Sequence, residues 1–249
     1  TFSRLVAEVK TRKAFSFLLF CIIGAFLAFN SLKSLASHEF KTEFVSDMPK
    51  GAADFLVNLK VEGNMLNDYG YGGYLIWRLY PGKKVFIDGR LLEDDVYNEY
   101  KTITLTKRNQ NQSWEGIIKK HDISYIVIPP LLYHGQIYPL LEKLYESDRW
   151  ELIYKDDLSL IFMNNDSRNI ALVKQYYMDK KEVLTTIIVH AIKNAESDST
   201  NPYYLISMGK AFYKMGKYDE AEKAFLEAYK RDPDNPETKR WMQRLRERK

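Results

Sequence analysis

Residues 14–32, AFSFLLFCIIGAFLAFNSL, carry no charged side chain and only Ser16, Asn30 and Ser31 as polar ones. This run constrains the chain more than any other feature. At about 1.5 Å per residue, a helix of this length just crosses a hydrocarbon core about 30 Å thick. Arg4, Lys10, Arg12 and Lys13 precede it against Glu8, and Lys33 alone follows closely. The positive-inside rule therefore predicts a cytoplasmic segment at 1–13 and places everything after Leu32 across the membrane. A cleavable signal peptide is the alternative, since Ser34-Leu35-Ala36 has the small-x-small pattern of a cleavage site. The apolar run is long for a signal core, which favours the retained anchor. On either reading the bulk of the chain is extracytoplasmic. Thr1 is not a methionine, so the chain either lost its initiator or is the tail of a longer polypeptide.

Composition narrows the class of the remainder. With 249 residues, 45% apolar and 28% charged, the chain is expected to fold as one or two domains plus appendages. A net charge of +4, scattered along the sequence, does not argue for nucleic acid. Cys21 is the single cysteine, which excludes disulfides within the chain and cysteine-rich zinc sites.

After a polar connector at 33–50, periodicity predicts an α/β domain over 51–165. Helices are expected at Ala52–Lys60, Gly73–Leu79, Ser113–His121 and Ile137–Ser147. Strands are expected at Gly63–Asn67, Lys84–Ile87, Ser124–Ile128, Trp150–Tyr154 and Leu158–Phe162, the last two joined by a hairpin turn at Lys155-Asp156-Asp157. Strands alternating with helices before a terminal hairpin imply a small α/β sandwich with a mixed sheet. From Arg168 strands give way to helical spacing, with Val183, Ile187, Ile188, Ala191 and Ile192 on one stripe. Residues 166–249 therefore form an all-α region.

Within that region, Pro202–Asn235 (PYYLISMGKAFYKMGKYDEAEKAFLEAYKRDPDN) resembles one tetratricopeptide repeat. The resemblance rests on Leu205, Met208, Gly209, Phe212, Gly216, Tyr218, Ala221, Phe225, Ala228 and Pro233. Leu205 stands where an aromatic is usual, and Met208 where leucine is. It implies a helical hairpin crossing closely at Gly209 and Ala221, with Phe212, Tyr218 and Phe225 filling the space around the crossing and Pro233 ending the second helix. One repeat cannot bury its apolar face alone. Pro236–Lys249 is therefore expected to cap it with Trp241 and Leu245 inward, and 168–195 to stack on its other side. Its concave face, where Tyr203, Ile206, Lys210 and Tyr213 are expected to point, is the candidate partner site. Simple buttressing of the α/β domain is the alternative.

No catalytic constellation is legible. Gly70-Tyr-Gly-Gly73 lacks both the Lys-Ser/Thr of a phosphate loop and the spacing of a dinucleotide loop, and close packing of strand and turn accounts for its glycines better. Asp88 and Arg90 follow the predicted strand Lys84–Ile87, at the end where open α/β sheets place ligands, though a structural pair explains them more simply. Glu93, Asp94 and Asp95 read as a dipole-matched helix start. His38, His121, His134 and His190 have no metal-ligand spacing, and no serine or cysteine comes with a nucleophile motif. No metal or cofactor is implied.

Three blocks carry a second resemblance: GNMLNDYGYGGYLIWRLYPGKKVFIDGR (63–90), WEGIIKKHDISYIVIPP (114–130) and WELIYKDDLSLIFMNN (150–165). Pro49–Asn165 resembles the extracytoplasmic C-terminal domain of bacterial multi-spanning glycosyltransferase-like membrane proteins that use polyprenyl-phosphate sugars. The resemblance implies a bacterial inner-membrane setting, while the acidic catalytic loop of such enzymes has no counterpart here. The expected function is a membrane-anchored scaffolding subunit that contacts a protein partner through the repeat. The alternative is the acceptor-binding end of a membrane glycosyltransferase. There Tyr69, Tyr71, Asp88 and Arg90 would hold a glycan or a polyprenyl phosphate.

Overall fold

Four strands form a mixed sheet: β1 (Asn64–Asn67), β2 (Ile123–Ile128), β3 (Trp150–Lys155) and β4 (Leu160–Asn164), in the order β1-β2-β4-β3. β1 runs parallel to β2, while β4 is antiparallel to both of its neighbours. The computed structural model describes residues 47–90, 94–105, 113–166 and 168–248. The apolar run at 14–32 lies outside them. Among the described residues no helix is long and apolar enough to cross a membrane.

The strands are almost continuously apolar because helices cover both faces of the sheet. Alternation sends Leu66, Ile126, Ile128, Leu152, Leu160 and Phe162 into one core. Met65, Tyr125, Val127, Ile153, Ile161 and Met163 enter the other. The second core is closed by α1 (Lys50–Val57) and α2 (Gly72–Leu79) through Ala52, Ala53, Leu56, Leu75 and Leu79. The first receives α3 (Asp94–Thr104), α4 (Trp114–Lys120) and α5 (Pro139–Glu146). Ser113 caps α4 by accepting from the Gly116 amide at 3.1 Å. The β3–β4 turn is held by Asp156, whose Oδ1 accepts from the amides of Leu158 and Ser159 and from the Ser159 hydroxyl.

Lys84–Ile87 is not a strand, which corrects the expectation from its apolar, β-branched character. The fully buried Asn67 at the end of β1 takes the place of a neighbouring strand. Its Oδ1 accepts from the Phe86 amide at 2.8 Å and its Nδ2 donates to the Ile87 carbonyl at 2.8 Å. One side-chain amide thus pairs the backbone of a segment that joins no ladder and whose Ile87 is buried. Gly72 permits the approach, since a Cβ there would stand 2.2 Å from the Ile87 carbonyl oxygen.

The helical end contains α6 (Ile170–Tyr176), α7 (Lys181–Ser197), α8 (Tyr203–Lys214), α9 (Tyr218–Arg231) and α10 (Pro236–Arg246). α8 and α9 form the hairpin. A Cβ on Gly209 would meet the Phe225 ring at 2.4 Å, so glycine sets how closely the two helices cross. Gly216, at φ +75°, ends α8 in the left-handed conformation, and the Lys217 amide reaches back to the Phe212 carbonyl at 3.0 Å. Asn235 opens α10 by accepting from the amides of Glu237 and Thr238. Met48–Lys249 is one compact unit, and the first core continues without a break from the sheet through α5 and α7 to Phe225 and Leu245.

Two substitutions test these joints by urea unfolding. Asn67→Ala takes the partner from the half-buried Phe86 amide and the buried Ile87 carbonyl and should cost about 2 kcal/mol. Gly209→Val forces the α8–α9 crossing apart and should also cost about 2 kcal/mol. Parental stability in either variant would contradict the corresponding joint.

Candidate functional site

The face of the helical hairpin that looks toward the sheet is built on α8. It is met by the segment Pro129–Tyr138 that leaves β2. This segment folds as a tight hairpin, closed by a Leu131–Ile137 bridge and by the Leu132 amide donating to the Gln136 carbonyl at 2.8 Å. Its tip lies on α8. The Ser207 hydroxyl donates to the Gly135 carbonyl at 2.7 Å, and the Tyr204 hydroxyl donates to the Tyr133 carbonyl at 3.2 Å. Asn201 donates to the His134 carbonyl at 3.2 Å, and Gln136 donates to Glu237 of α10 at 3.3 Å. Gly135, at φ +92°, allows this approach, since a Cβ there would stand 3.0 Å from the Tyr204 backbone nitrogen.

The four α8 residues expected on the concave face therefore divide. Ile206 is only 1% exposed, within the core shared with the sheet, and Tyr203 is half-buried with His134 edge-on to its ring. Lys210 and Tyr213 lie further along, facing α10. The Lys210 ammonium sits 3.2 Å from Glu237 and 5.7 Å from the centre of the Trp241 ring. Tyr213 meets Trp241 edge-on, with ring centres 5.4 Å apart. Two exposed cations of the C-terminal end complete the strip. Arg244 lies 4.8 Å from the Trp241 ring centre and Arg248 lies 5.4 Å from that of Tyr213. Arg248 also donates to the Tyr218 hydroxyl at 3.0 Å. The arrangement is a row of cations seated on aromatic faces, suited to anionic or aromatic groups of a partner.

The other candidate residues sit at the C-terminal end of β1. A single 3₁₀ turn, Tyr69–Tyr71, sends its two tyrosines to opposite sides of the sheet. Tyr71 is buried in the second core and its hydroxyl donates to the Leu158 carbonyl. Tyr69 packs on the first core, its hydroxyl 4.0 Å from where a Cβ on Gly89 would stand. Asp88 and Arg90 form a fork within one turn. Arg90 Nε and Nη2 donate to the two Asp88 carboxylate oxygens at 2.8 and 2.7 Å, and its amide donates at 2.9 Å. The Arg90 guanidinium holds the Asp88 carboxyl below its ordinary value. Tyr69, Asp88 and Arg90 thus share one edge, while Tyr71 does not reach it. Among the described residues, no group of three His, Cys, Asp or Glu side chains is placed to hold a metal ion.

Sequence reasoning missed the polar cluster beside this edge. Asp68 follows β1 directly. Its Oδ1 accepts from the Gly70 amide at 2.8 Å and its Oδ2 from the Tyr100 hydroxyl at 3.2 Å. Tyr100 accepts from the Tyr69 amide at 2.9 Å and lies 3.0 Å from the Tyr138 hydroxyl. With Asp68 ionised, Tyr100 donates to it and Tyr138 donates to Tyr100. Burial pushes the Asp68 carboxyl up, partly countered by its bonds from the Gly70 amide and the Tyr100 hydroxyl. Burial likewise pushes both phenols up. An Asp between a strand end and a Tyr-Gly turn was a visible signal, but Tyr100 and Tyr138 stand too far along the chain to be paired with it by inspection.

A close-crossed α-hairpin capped by a third helix defines a helical-repeat module. Residues 202–235, which span α8 and α9, match the tetratricopeptide repeat. The match does not reach Pro49–Asn165, where the glycosyltransferase resemblance lies. No curated protein and no solved structure matches the chain. A tetratricopeptide repeat points to protein–protein interaction or scaffolding.

The Asp68 cluster has a pH signature. The folded protein holds this proton more tightly than the unfolded chain, whose carboxyl titrates near 3.8. Protonation therefore stabilises the fold, and that contribution is lost as pH rises from the unfolded value through the raised folded value. Asp68→Asn keeps an acceptor for Gly70 and cannot ionise. Thermal unfolding of both proteins between about pH 4 and about pH 7 should show the parent losing stability relative to the variant as pH rises. A constant difference would show that Asp68 titrates normally.

Proposed function

We propose that this chain is a scaffolding subunit of a bacterial inner-membrane complex, anchored through residues 14–32, with its folded unit extracytoplasmic. Its tetratricopeptide repeat contacts a protein partner. One observation carries the reading. The hairpin is welded to the α/β unit by the Pro129–Tyr138 segment, yet at the α8–α10 side Arg244 and Arg248 stay exposed, above the half-buried Lys210 and Tyr213. Tyr203 and Ile206 hold the repeat to its own domain in this reading, and the strip holds the partner. Among the described residues neither exposed arginine forms an ion pair, which favours a partner segment bearing carboxylates.

Two measurements check the reading. Alkaline carbonate extraction of membranes should leave the full chain in the pellet, with protease added from outside intact spheroplasts degrading its folded unit; release by carbonate would contradict the anchor. Arg244→Glu with Arg248→Glu should reduce the stoichiometric partner recovered from detergent-solubilised membranes by about tenfold, equivalent to about 1.4 kcal/mol. The thermal unfolding temperature should fall only slightly, because both side chains are exposed and lose only ring contacts and the Tyr218 bond. Undiminished recovery would remove the strip from the partner site.

A further inference from the structure

The most exposed tryptophan and its neighbouring tyrosine lie together on α2, away from both the repeat and the Asp68 cluster. Trp77 is 72% exposed and Tyr80, which ends the helix, is 73% exposed. Tyr74 packs edge-on against Trp77 with ring centres 5.5 Å apart, and the Arg78 guanidinium lies 5.6 Å from the Trp77 ring centre. The layer of α1, α2 and their flanks carries Lys50, Lys60, Arg78, Lys83 and Lys84 against Asp47, Asp54, Glu62 and Asp68. Of these acids, Asp68 points into the cluster already described, and Asp54 is committed to Lys50 at 2.7 Å and to Arg78. Lys83 donates to the Leu59 carbonyl at 2.9 Å, which ties the turn after Tyr80 to the end of α1. The patch therefore combines amphipathic rings with the exposed cations Lys60 and Lys84.

Its place in the chain argues for what covers it. The described residues begin at Asp47, and α1 starts at Lys50. Lys50 bonds Asp54, Asp54 bonds Arg78, and Arg78 lies over Trp77, so the exposed rings stand beside the point where the connector enters the folded unit. Residues 33–49 separate that point from the apolar run, and even fully extended they span no more than about 60 Å. Tryptophan and tyrosine concentrate at the headgroup level of bilayers, where a ring can sit in acyl chains while its polar atom stays wet. Lysine and arginine beside them are attracted to anionic headgroups.

We infer that Trp77 and Tyr80 enter the headgroup layer of an anionic bilayer, with Lys60, Arg78 and Lys84 against lipid phosphates, as a second membrane contact that orients the folded unit. This rests on the anchored reading given above. The contact is a fixed face of the fold, so its occupancy is separable from the anchor itself.

The test uses the full chain with Cys21→Ser, carrying an environment-sensitive fluorophore on Tyr80→Cys or, as control, on Leu226→Cys of α9. Each is reconstituted into vesicles of phosphatidylglycerol and phosphatidylcholine with brominated acyl chains, and flotation is measured in parallel. The expected result is flotation with a blue shift and loss of emission at position 80 and neither at position 226. Adding Trp77→Ala with Lys84→Glu to the Tyr80→Cys chain should then abolish the shift without abolishing flotation. Flotation with position 80 as wet as position 226 would overturn the second contact and leave the anchor standing. Equal quenching at both positions would overturn it as non-specific adsorption. Failure to float, with both labels in water, would overturn the anchor and the patch together.

Discussion

The docking of the Pro129–Tyr138 segment on α8 is the interaction on which the rest depends. A single tetratricopeptide hairpin exposes apolar surface on both of its flanks and cannot stand alone. Here α7 covers one flank, α10 covers the other, and the loop from β2 lies against the concave side with Gly135 pressed to Tyr204. Ser207, Tyr204 and Asn201 bond three carbonyls at the loop tip, of which that of Gly135 is buried and would otherwise be left unpaired. The hairpin thereby becomes an extension of the sheet's own core. A partner bound to the remaining strip would be held at a fixed angle to the α/β unit, which is the mechanical property a scaffold requires.

The same segment ties the repeat to the end of the sheet where open α/β folds usually receive ligands. Tyr138, which closes the segment, reaches the Tyr100 hydroxyl and through it Asp68 at the end of β1. That end is filled by the chain's own polar groups. Asn67 binds the Phe86–Ile87 segment on one side of it, and the Asp68 cluster binds α3 and α5 on the other. The polar groups at this position thus join elements, and the exposed Asp88–Arg90 fork remains at their rim.

Much of this was legible in the amino-acid sequence, for identifiable reasons. β2, β3 and β4 stood out because strands buried on both faces are apolar throughout, and α4 and α5 because their apolar stripes recur at helical spacing. The hairpin was readable in most detail, since glycine at 209 and at 216 has a steric meaning that few other residues share. Lys84–Ile87 misled because its composition is that of a strand while its hydrogen bonds go to one asparagine side chain twenty residues away. α3 was not anticipated beyond its acidic start, since its sequence DDVYNEYKTIT has a weak apolar stripe and owes its position to Tyr100 and Ile103 in the core. The docking of the Gly135 tip on Tyr204 and Ser207, about seventy residues downstream, is a tertiary event with no local trace.

The central claim is that the repeat and the sheet share one core and act as one body. Native-state hydrogen exchange of the full chain under mildly denaturing conditions tests it most directly, by comparing opening free energies for the amides of β2 and β4 with those of α8 and α9. The account predicts that the slowest amides of both regions converge on one value and shift together when Ser207→Ala weakens the loop contact. Distinct values, with α8 and α9 opening well below the sheet and unaffected by that substitution, would contradict it and leave the repeat as an independent appendage.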